Sequence, residues 1–347
     1  MPMRCPTLDE LPQPPPGKTG WPWTQASKPP DAGPRPRITI VTPSMNQARF
    51  LEETIRSVLL QGYPDLEYMV FDGGSKDGSV EIIRRYEKWL AYGTSQLDEG
   101  QADAVNNGWR RATGDILGYI NSDDTYCPEA LYLVAQTFAR NPQPGLVYGR
   151  CHVIDELGAV LRERHVRDAT LAEVLRWSPS IPQPTMFVRR YVVETVGLLR
   201  PDLHYTMDYE LSLRIGLKYK WQFIPNLLAN MRDHPAAKTA VDPLRHIEEG
   251  IAVAEQFFGQ ALPPDLGELK SKTLATLFVR KARVLSRLGR GTEARDVIAR
   301  ALKLCSDASL RRKAAAAWAM SWIGANAING LRRIKRAGLQ TFTRRRP

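Results

Sequence analysis

The feature that most constrains this chain is the placement of acidic residues directly after short apolar runs. The run Tyr68–Phe71 leads to Asp72, and the run Ile116–Ile120 leads to the pair Asp123 and Asp124. Short apolar runs are typical of buried strands, and open parallel sheets bind ligands beyond the carboxyl ends of their strands. The motifs therefore predict an α/β fold with a nucleotide and divalent-metal site at that edge of the sheet.

Strand-like and helix-like segments alternate along the first two thirds of the chain, which predicts a mostly parallel, Rossmann-like sheet flanked by helices. Helical patterns follow from about residue 243, where two segments form a hairpin that resembles one tetratricopeptide-like unit. The predicted strands cover 37–41, 68–71, 95–97, 116–120, 146–154, 159–164 and 183–188, and the predicted helices cover 50–61, 80–90, 102–112, 128–140, 171–177, 208–217, 274–288 and 292–304. The expected domains are a disordered, Pro-rich N-terminus over 1–36, an α/β domain over 37–242, an α-helical extension over 243–310 and a basic, amphipathic tail over 311–347.

Composition limits the class of protein and its compartment. The formal net charge is +11, but ten basic residues and no acidic residue follow Asp307, so the basicity belongs to the tail. The 4 cysteines are far apart in the sequence, which favours a reducing, cytoplasmic location over a disulfide scaffold. Neither a signal peptide nor an apolar run of transmembrane length is recognisable.

The pair Asp123 and Asp124 offers hard oxygen ligands, which suit Mn²⁺ or Mg²⁺. The alternative is that these residues only cap the helix that follows. Asp72 precedes Gly73 and Gly74, a turn that would let a nucleotide approach the backbone, although an ordinary Asp-Gly turn has the same sequence.

Two further residues are candidates for chemistry. Asp208, in the segment Met207-Asp208-Tyr209-Glu210, could act as a general base toward an acceptor hydroxyl, or simply lie in the acidic first turn of a helix. His234 could ligate the metal or contact a diphosphate, or be a solvated loop histidine.

Taken together, these motifs resemble family 2 glycosyltransferases of the GT-A fold. The resemblance rests on Ile40–Asn46, on the loop Asp72–Gly78, on the segment from Asn106 to Asp115 and on Ser122-Asp123-Asp124. It covers roughly residues 37–240. Gly73 and Asn121 stand where the family pattern has acids, which leaves the sharing of the metal open.

The resemblance implies an inverting, metal-dependent transfer of a sugar from a nucleotide-diphosphate sugar to a glycan or lipid-linked acceptor, in cell-surface polysaccharide or glycan biosynthesis. It implies the following roles: Asp208 as the base; Thr42, Pro43, Asn46, Asp72, Ser75 and Asp123 at the nucleotide sugar; and Asp123, Asp124 and His234 at the metal.

Other readings of the sequence stay open. A nucleotidyltransferase would normally carry a Gly-rich phosphate loop near the first strand, and Thr42–Arg49 is not one. A catalytically inactive scaffold would not need the acidic residues. The uncharged stretch Ala314–Gly330 between basic clusters either packs as a terminal helix or lies peripherally on the inner face of a membrane. Nucleic acid is not expected as a partner, because the tail lacks interleaved aromatic residues.

Overall fold

The computed structural model describes residues 5–28, 33, 35–177, 181–305 and 307–323. These residues divide into two compact units, one formed within 1–171 and 179–234 and the other within 172–178 and 235–347. The division therefore falls at His234, eight residues before the domain boundary expected from the sequence.

The first unit is built on one sheet, whose strands are β1 (Ile38–Ser44), β2 (Leu66–Asp72), β3 (Tyr92–Ser95), β4 (Ile116–Tyr119), β5 (Thr125–Tyr126), β6 (Leu146–Ile154), β7 (Val160–Glu163), β8 (Phe187–Arg189) and β9 (Trp221–Arg232). Within the described residues the strand order is β3-β2-β1-β4-β8-β6-β9-β5, with β7 paired to β6. Strands β1 to β4 pair in parallel, as do β6 and β9. Antiparallel pairs join β4 and β6 to β8, β5 to β9 and β6 to β7. The predicted α/β fold with a mostly parallel sheet is confirmed.

The helices, in chain order, are α1 (Ala48–Leu59), α2 (Ser79–Tyr86), α3 (Gln101–Arg111), α4 (Ala130–Arg140), α5 (Leu171–Leu175), α6 (Arg190–Val196), α7 (Met207–Lys218), α8 (Lys238–Val241), α9 (Pro243–Phe257), α10 (Pro264–Gly267), α11 (Lys270–Arg287), α12 (Gly291–Leu304) and α13 (Ala308–Met320). Short 3₁₀ turns cover Leu8–Glu10, Glu87–Trp89 and Gln183–Thr185.

Strands β1 and β2 are buried along their whole length, which explains the short apolar runs within them, Ile40–Val41 and Tyr68–Phe71. Strand β1 runs on to Ser44, although the sequence predicted that it ends at Val41. Pro43 is tolerated there because β4 pairs with β1 only as far as Val41, so the side of β1 that faces β4 is already free of hydrogen bonds at the proline.

Several elements differ from the sequence-based expectation. Strand β9 was not predicted, because Pro225 and Asn226 interrupt its apolar pattern and its register with β6 shifts near Gly149 and Arg150. The segment predicted as a strand over 183–188 begins with a 3₁₀ turn and becomes strand β8 only at Phe187.

The prediction of a disordered N-terminus is wrong for residues 5–28. Trp23 is buried, and the indole N–H of Trp21 donates to the carbonyl of Tyr126 at 2.8 Å. The buried guanidinium of Arg56 in α1 donates to the carbonyls of Pro12, Pro22 and Trp23 at 2.8–3.0 Å. The proline-rich composition hid this packing, because its partners lie far away in the sequence.

The second unit is helical within the described residues, as expected. Helices α9, α11, α12 and α13 enclose a core that includes Ile251, Leu277, Ile298 and Ala314. The predicted hairpin is present as α11 and α12, with Gly289 at a φ of +78° in the turn. The predicted uncharged stretch over 314–330 lies partly outside the described residues. No helix in the described ranges is long and apolar enough to cross a membrane.

Candidate active site

The loop after β2 is organised by Asp72, whose carboxylate is almost completely buried. Its Oδ2 atom accepts hydrogen bonds from the backbone N–H groups of Gly74 and Ser75 and from the Ser95 hydroxyl, at 3.2, 2.8 and 2.6 Å. Its Oδ1 atom accepts a bond from the Ser75 hydroxyl at 2.5 Å. A carboxylate has about four acceptor sites. In this structure Asp72 therefore uses its hydrogen-bonding capacity to shape the loop.

The loop after β1 is tied to the same segment. The backbone N–H of Asn46 donates to the Ser75 hydroxyl at 2.6 Å, and the Asn46 side-chain oxygen accepts from the backbone of Lys76 at 3.0 Å. Asp77 accepts from the backbone N–H of Ala48 at 2.9 Å, which satisfies one free donor at the start of α1. The two loops thus form one rigid edge at the ends of β1 and β2.

The other residues expected at the nucleotide differ in their exposure to solvent. Asn46 is exposed at this edge, with a φ of +51°. Pro43 is buried near the end of strand β1, where it pairs with Phe71 of β2. Thr42 is fully buried and its hydroxyl lies 3.0 Å from the hydroxyl of Tyr68, so its side chain supports the sheet rather than facing a ligand.

The glycine at position 73, where the family pattern has an acid, has a steric cause. A Cβ atom at this position would lie 2.9 Å from the sulfur of Met45 and 3.1 Å from Oδ2 of Asp98. The Asp98 carboxylate therefore occupies space that a side chain at position 73 would need.

The acidic turn after β4 places Asp124 inside the protein. Its backbone N–H donates to the carbonyl of Asn121 at 3.0 Å, and its carbonyl accepts from the hydroxyl of Thr54 at 2.7 Å. The Oδ1 atom accepts from the backbone N–H of Arg232 at 2.8 Å. Burial, together with the neighbouring charge of Asp123, raises the pKa of Asp124 well above its ordinary value, although the hydrogen bond and charge of Arg232 oppose this shift.

Asp123 meets His234 at the same turn. The Oδ2 atom of Asp123 lies 3.0 Å from Nε2 of His234, whose ring is buried and packs on Phe50 with centroids 5.0 Å apart. The pairing of Thr125 with Asn230 joins the short strand β5 to β9 and so brings these two segments together. His234 is therefore a buried partner of the acidic pair and not a solvated loop residue.

Asp208 lies half-buried in the first turn of α7. The neighbour that it shares with Asp124 is Tyr119, at the carboxyl end of β4. Burial is the main cause that raises the pKa of Tyr119, and the charges of Asp208 and Asp124 add to it. Burial lowers the pKa of Arg164, and the charges of Asp208 and Asp124 are among those that oppose this shift. The charges of the predicted base and of one predicted metal ligand, Asp124, thus both act on Tyr119.

The residues at the turn fit a divalent cation. Asp123, Asp124 and His234 supply two carboxylates and an imidazole, and the buried carboxylate of Asp124, whose pKa is raised by burial and by the charge of Asp123, is a group that added positive charge would stabilise. Within the described residues no group of three or more His, Cys, Asp or Glu side chains is arranged to hold a cation by itself. Mg²⁺ and Mn²⁺ commonly bind through one or two carboxylates together with substrate phosphates and waters.

Two site residues were missed in the sequence. Gln101, at the start of α3, donates from Nε2 to Oδ1 of Asn121 at 2.6 Å, and Arg232 contacts both residues of the acidic pair. The local sequence gives no signal for either contact. Only the Asn-for-acid replacement at position 121 could have prompted a search for a partner.

Solved structures with the same architecture identify the class of protein. Residues 1–349 of TarS from S. aureus superpose with a TM-score of 0.57 at 16% identity, covering 81% of this chain and 89% of that chain. The mannosyltransferase PcManGT from Pyrobaculum calidifontis, solved in complex with GDP-Man and Mn²⁺, gives a TM-score of 0.53 at 21% identity, covering 86% of this chain and 90% of that chain. The fold is therefore that of the GT-A glycosyltransferases.

Sequence comparison names the family. Residues 39–197 match the family described as Glycosyl transferase family 2. An uncharacterized glycosyltransferase of Mycobacterium tuberculosis is 28% identical over 184 residues, which cover 52% of this chain and 70% of the relative. The O-antigen biosynthesis protein RfbC of Myxococcus xanthus is 31% identical over 193 residues, which cover 52% of this chain and 14% of that protein. Residues 39–197 therefore form a glycosyltransferase family 2 domain, and the chain is a glycosyltransferase.

Proposed function

We propose that this glycosyltransferase moves a sugar from a nucleotide-diphosphate sugar to a hydroxyl of a glycan or lipid-linked acceptor, with a divalent cation and with inversion at the anomeric carbon. The observation that carries the proposal is the acidic turn after β4, where the buried carboxylate of Asp124 is held by the Arg232 amide and Asp123 meets the buried ring of His234. Support for the donor class comes from TarS, which was solved in complex with UDP-GlcNAc, and from PcManGT with GDP-Man.

The donor would bind along the edge formed by the loops after β1 and β2. Asn46, exposed at this edge, and the loop held by Asp72 and Ser75 would receive the nucleoside, and Pro43 would support it from β1. Asp123 would hold the ribose, as the family pattern implies. The rigidity of this edge matters because a preformed site loses less entropy when it binds its ligand.

Asp123, Asp124 and His234 would hold Mn²⁺ or Mg²⁺ against the diphosphate, where the cation neutralises the charge of the leaving group. Burial of Asp124 and its bond from the Arg232 amide fix the direction of that carboxylate. The imidazole of His234 is held in place by Phe50 and by the oxygen of Asp123.

Asp208 would remove the proton from the acceptor hydroxyl as that oxygen attacks the anomeric carbon. A single base opposite the leaving diphosphate is sufficient for a direct displacement, and this gives inversion. Asp208 is half-buried at the start of a helix, where the helix dipole stabilises its ionised form.

The acceptor and the location extend the proposal. The likeness to an O-antigen biosynthesis protein and to a poly-β-1,6-N-acetyl-D-glucosamine synthase favours surface polysaccharide as the product class. All four cysteines are free thiols, which favours the cytoplasm. Peripheral membrane contact through the tail is supported by Trp318 and Trp322, which are exposed beside the basic residues of α13.

The test is a donor screen followed by one substitution. The protein is incubated with UDP- and GDP-sugars with and without Mn²⁺, and release of nucleoside diphosphate and the anomeric configuration of the product are measured. Metal-dependent turnover that Asp124→Ala abolishes, while the melting temperature shows a folded protein, would support the proposal. Turnover that is indifferent to Mn²⁺ chelation and to Asp124→Ala would contradict the metal assignment, and a retained configuration would contradict inversion.

A further inference from the structure

Arg232 ends strand β9 with a side chain that is completely shielded from solvent. A buried guanidinium is unfavourable unless its N–H groups and its charge are satisfied by protein partners. The identity of those partners therefore indicates what the residue does.

Four groups surround the guanidinium. Its Nε atom donates to the carbonyl of Asp123 at 2.8 Å, and its Nη1 atom donates to the carbonyl of Asp155 at 2.9 Å. Its Nη2 atom lies 3.2 Å from Oε2 of Glu53 in helix α1. The Cζ atom of the guanidinium lies 4.8 Å from the centroid of the Phe50 ring. The side chain thus joins the acidic turn to α1 and to the turn between β6 and β7.

The same residue holds both members of the acidic pair, by two different groups. The guanidinium fixes the main chain at Asp123, while the backbone N–H of Arg232 donates to the carboxylate of Asp124 at 2.8 Å. The main-chain contact restrains the position of Asp123 without occupying its carboxylate. The amide contact occupies one side of Oδ1 and so restricts rotation of the Asp124 carboxylate.

Glu53 gives this arrangement its charge balance. An isolated guanidinium next to the acidic pair would repel an incoming cation, but the carboxylate of Glu53 compensates its charge at 3.2 Å. Phe50 completes the cluster, because its ring contacts both the Arg232 guanidinium and the imidazole of His234. Because Glu53 compensates the guanidinium, Arg232 can fix the geometry of the acidic turn without adding an uncompensated positive charge beside it.

We propose that Arg232 is a positioning residue that holds Asp123 and Asp124 in the orientation needed to bind a divalent cation, and that Glu53 is its counter-charge. This inference rests on the proposed function, since it assumes that the acidic pair receives the cation. Replacing residues that hydrogen-bond to metal ligands without contacting the metal commonly weakens metal affinity by about 10- to 100-fold.

The first test is Arg232→Lys, which keeps the positive charge but cannot donate simultaneously to two carbonyls and pair with Glu53. Binding of Mn²⁺ is measured directly, by the electron paramagnetic resonance signal of free Mn²⁺, alone and in the presence of UDP or GDP. We expect the Mn²⁺ dissociation constant to rise by about tenfold or more. The matched control is Arg56→Lys, because Arg56 is equally buried and also donates to several backbone carbonyls. This control should lower the melting temperature and leave Mn²⁺ binding unchanged.

A second variant, Glu53→Gln, keeps the arginine and removes only its counter-charge. We expect it to raise the Mn²⁺ dissociation constant several-fold, even if Arg232→Lys does not yield folded protein. If the wild-type protein binds Mn²⁺ and both variants bind it with the same dissociation constant, the positioning role is overturned and the proposed function stands. Wild-type protein that binds no Mn²⁺ under any of these conditions would overturn the metal assignment itself, and the positioning role with it.

Discussion

The side-chain nitrogen Nε2 of Gln101 lies 2.6 Å from the Oδ1 atom of Asn121. This contact joins the first residue of helix α3 to the start of the acidic turn, where Asp124 donates its backbone N–H to the carbonyl of Asn121 at 3.0 Å. Position 121 is where the family pattern has an acid. The hydrogen bond from Gln101 needs only an acceptor oxygen, which both an amide and a carboxylate provide.

Asn121→Asp should therefore be tolerated. A carboxylate accepts the bond from Gln101 at least as well as an amide oxygen does. We expect kcat/KM to change by less than about tenfold, which corresponds to roughly 1.4 kcal/mol of transition-state stabilisation. Asn121→Leu is the matched variant without an acceptor, and its larger loss of kcat/KM would confirm the role of the bond. Equal losses in the two variants would contradict it.

Asp208→Asn should lower kcat by about 10²- to 10⁴-fold, because the amide cannot accept the proton of the acceptor hydroxyl. Donor binding, measured by calorimetry with the nucleotide sugar that the screen identifies, should stay close to that of the wild-type protein. The control is Asp202→Asn, which removes an exposed carboxylate paired with Arg200 at the surface. A loss of donor affinity that matches the loss of kcat would instead assign Asp208 to donor binding.

Arg56→Ala should destabilise the fold by about 3 kcal/mol, because the carbonyls of Pro12, Pro22 and Trp23 lose their buried donor. The free energy of unfolding is measured by urea denaturation. Arg84→Ala, which removes an exposed arginine from α2, should change it by less than about 0.5 kcal/mol. Similar stability of the two variants would show that the N-terminal segment contributes little to the fold.

The lowered pKa of Glu67 predicts that its contribution to the stability of the fold is lost in acid. Burial would raise the pKa of Glu67, but hydrogen bonds from Thr39 and Thr113 outweigh it, so the pKa lies below its ordinary value of 4.5. A carboxyl group with a lowered folded-state pKa stabilises the protein above its unfolded-state pKa, and this stabilisation is lost as the pH falls through the folded-state value.

The measurement is the urea midpoint between about pH 6 and about pH 3 for wild type, Glu67→Gln and Glu81→Gln. Glu67→Gln should be less stable near pH 6 and should lose less stability on acidification than the wild-type protein. Glu81 is exposed on α2, and its variant should follow the wild-type curve. A Glu67→Gln curve parallel to that of the wild type would contradict the lowered pKa.

The ends of the strands could be predicted from the sequence, and the links between them could not. Strands β2 and β4 each contain an apolar run close to their carboxyl ends, so these ends and the acidic residues that follow the runs were identifiable. The contact from Arg232 to Asp123 spans 109 residues, and that from His234 to Asp123 spans 111 residues. No periodicity in the sequence reports such distant pairs.

The role of Asp72 shows a second limit. Its position after β2 and before two glycines was sufficient to predict a loop that approaches a ligand. The orientation of its carboxylate depends on Ser95, which comes from β3, and on the conformation of the loop itself. The residue type and spacing could therefore locate the loop but could not distinguish a carboxylate that holds the loop from one that contacts a ligand.

Strand β5 contains only two residues, and the strand it pairs with, β9, is made about a hundred residues later. During synthesis on the ribosome, the acidic turn consequently emerges before Arg232 and His234, the two residues of the later segment that contact its carboxylates. The proposed cation site can therefore be completed only after β9 has taken its place between β6 and β5.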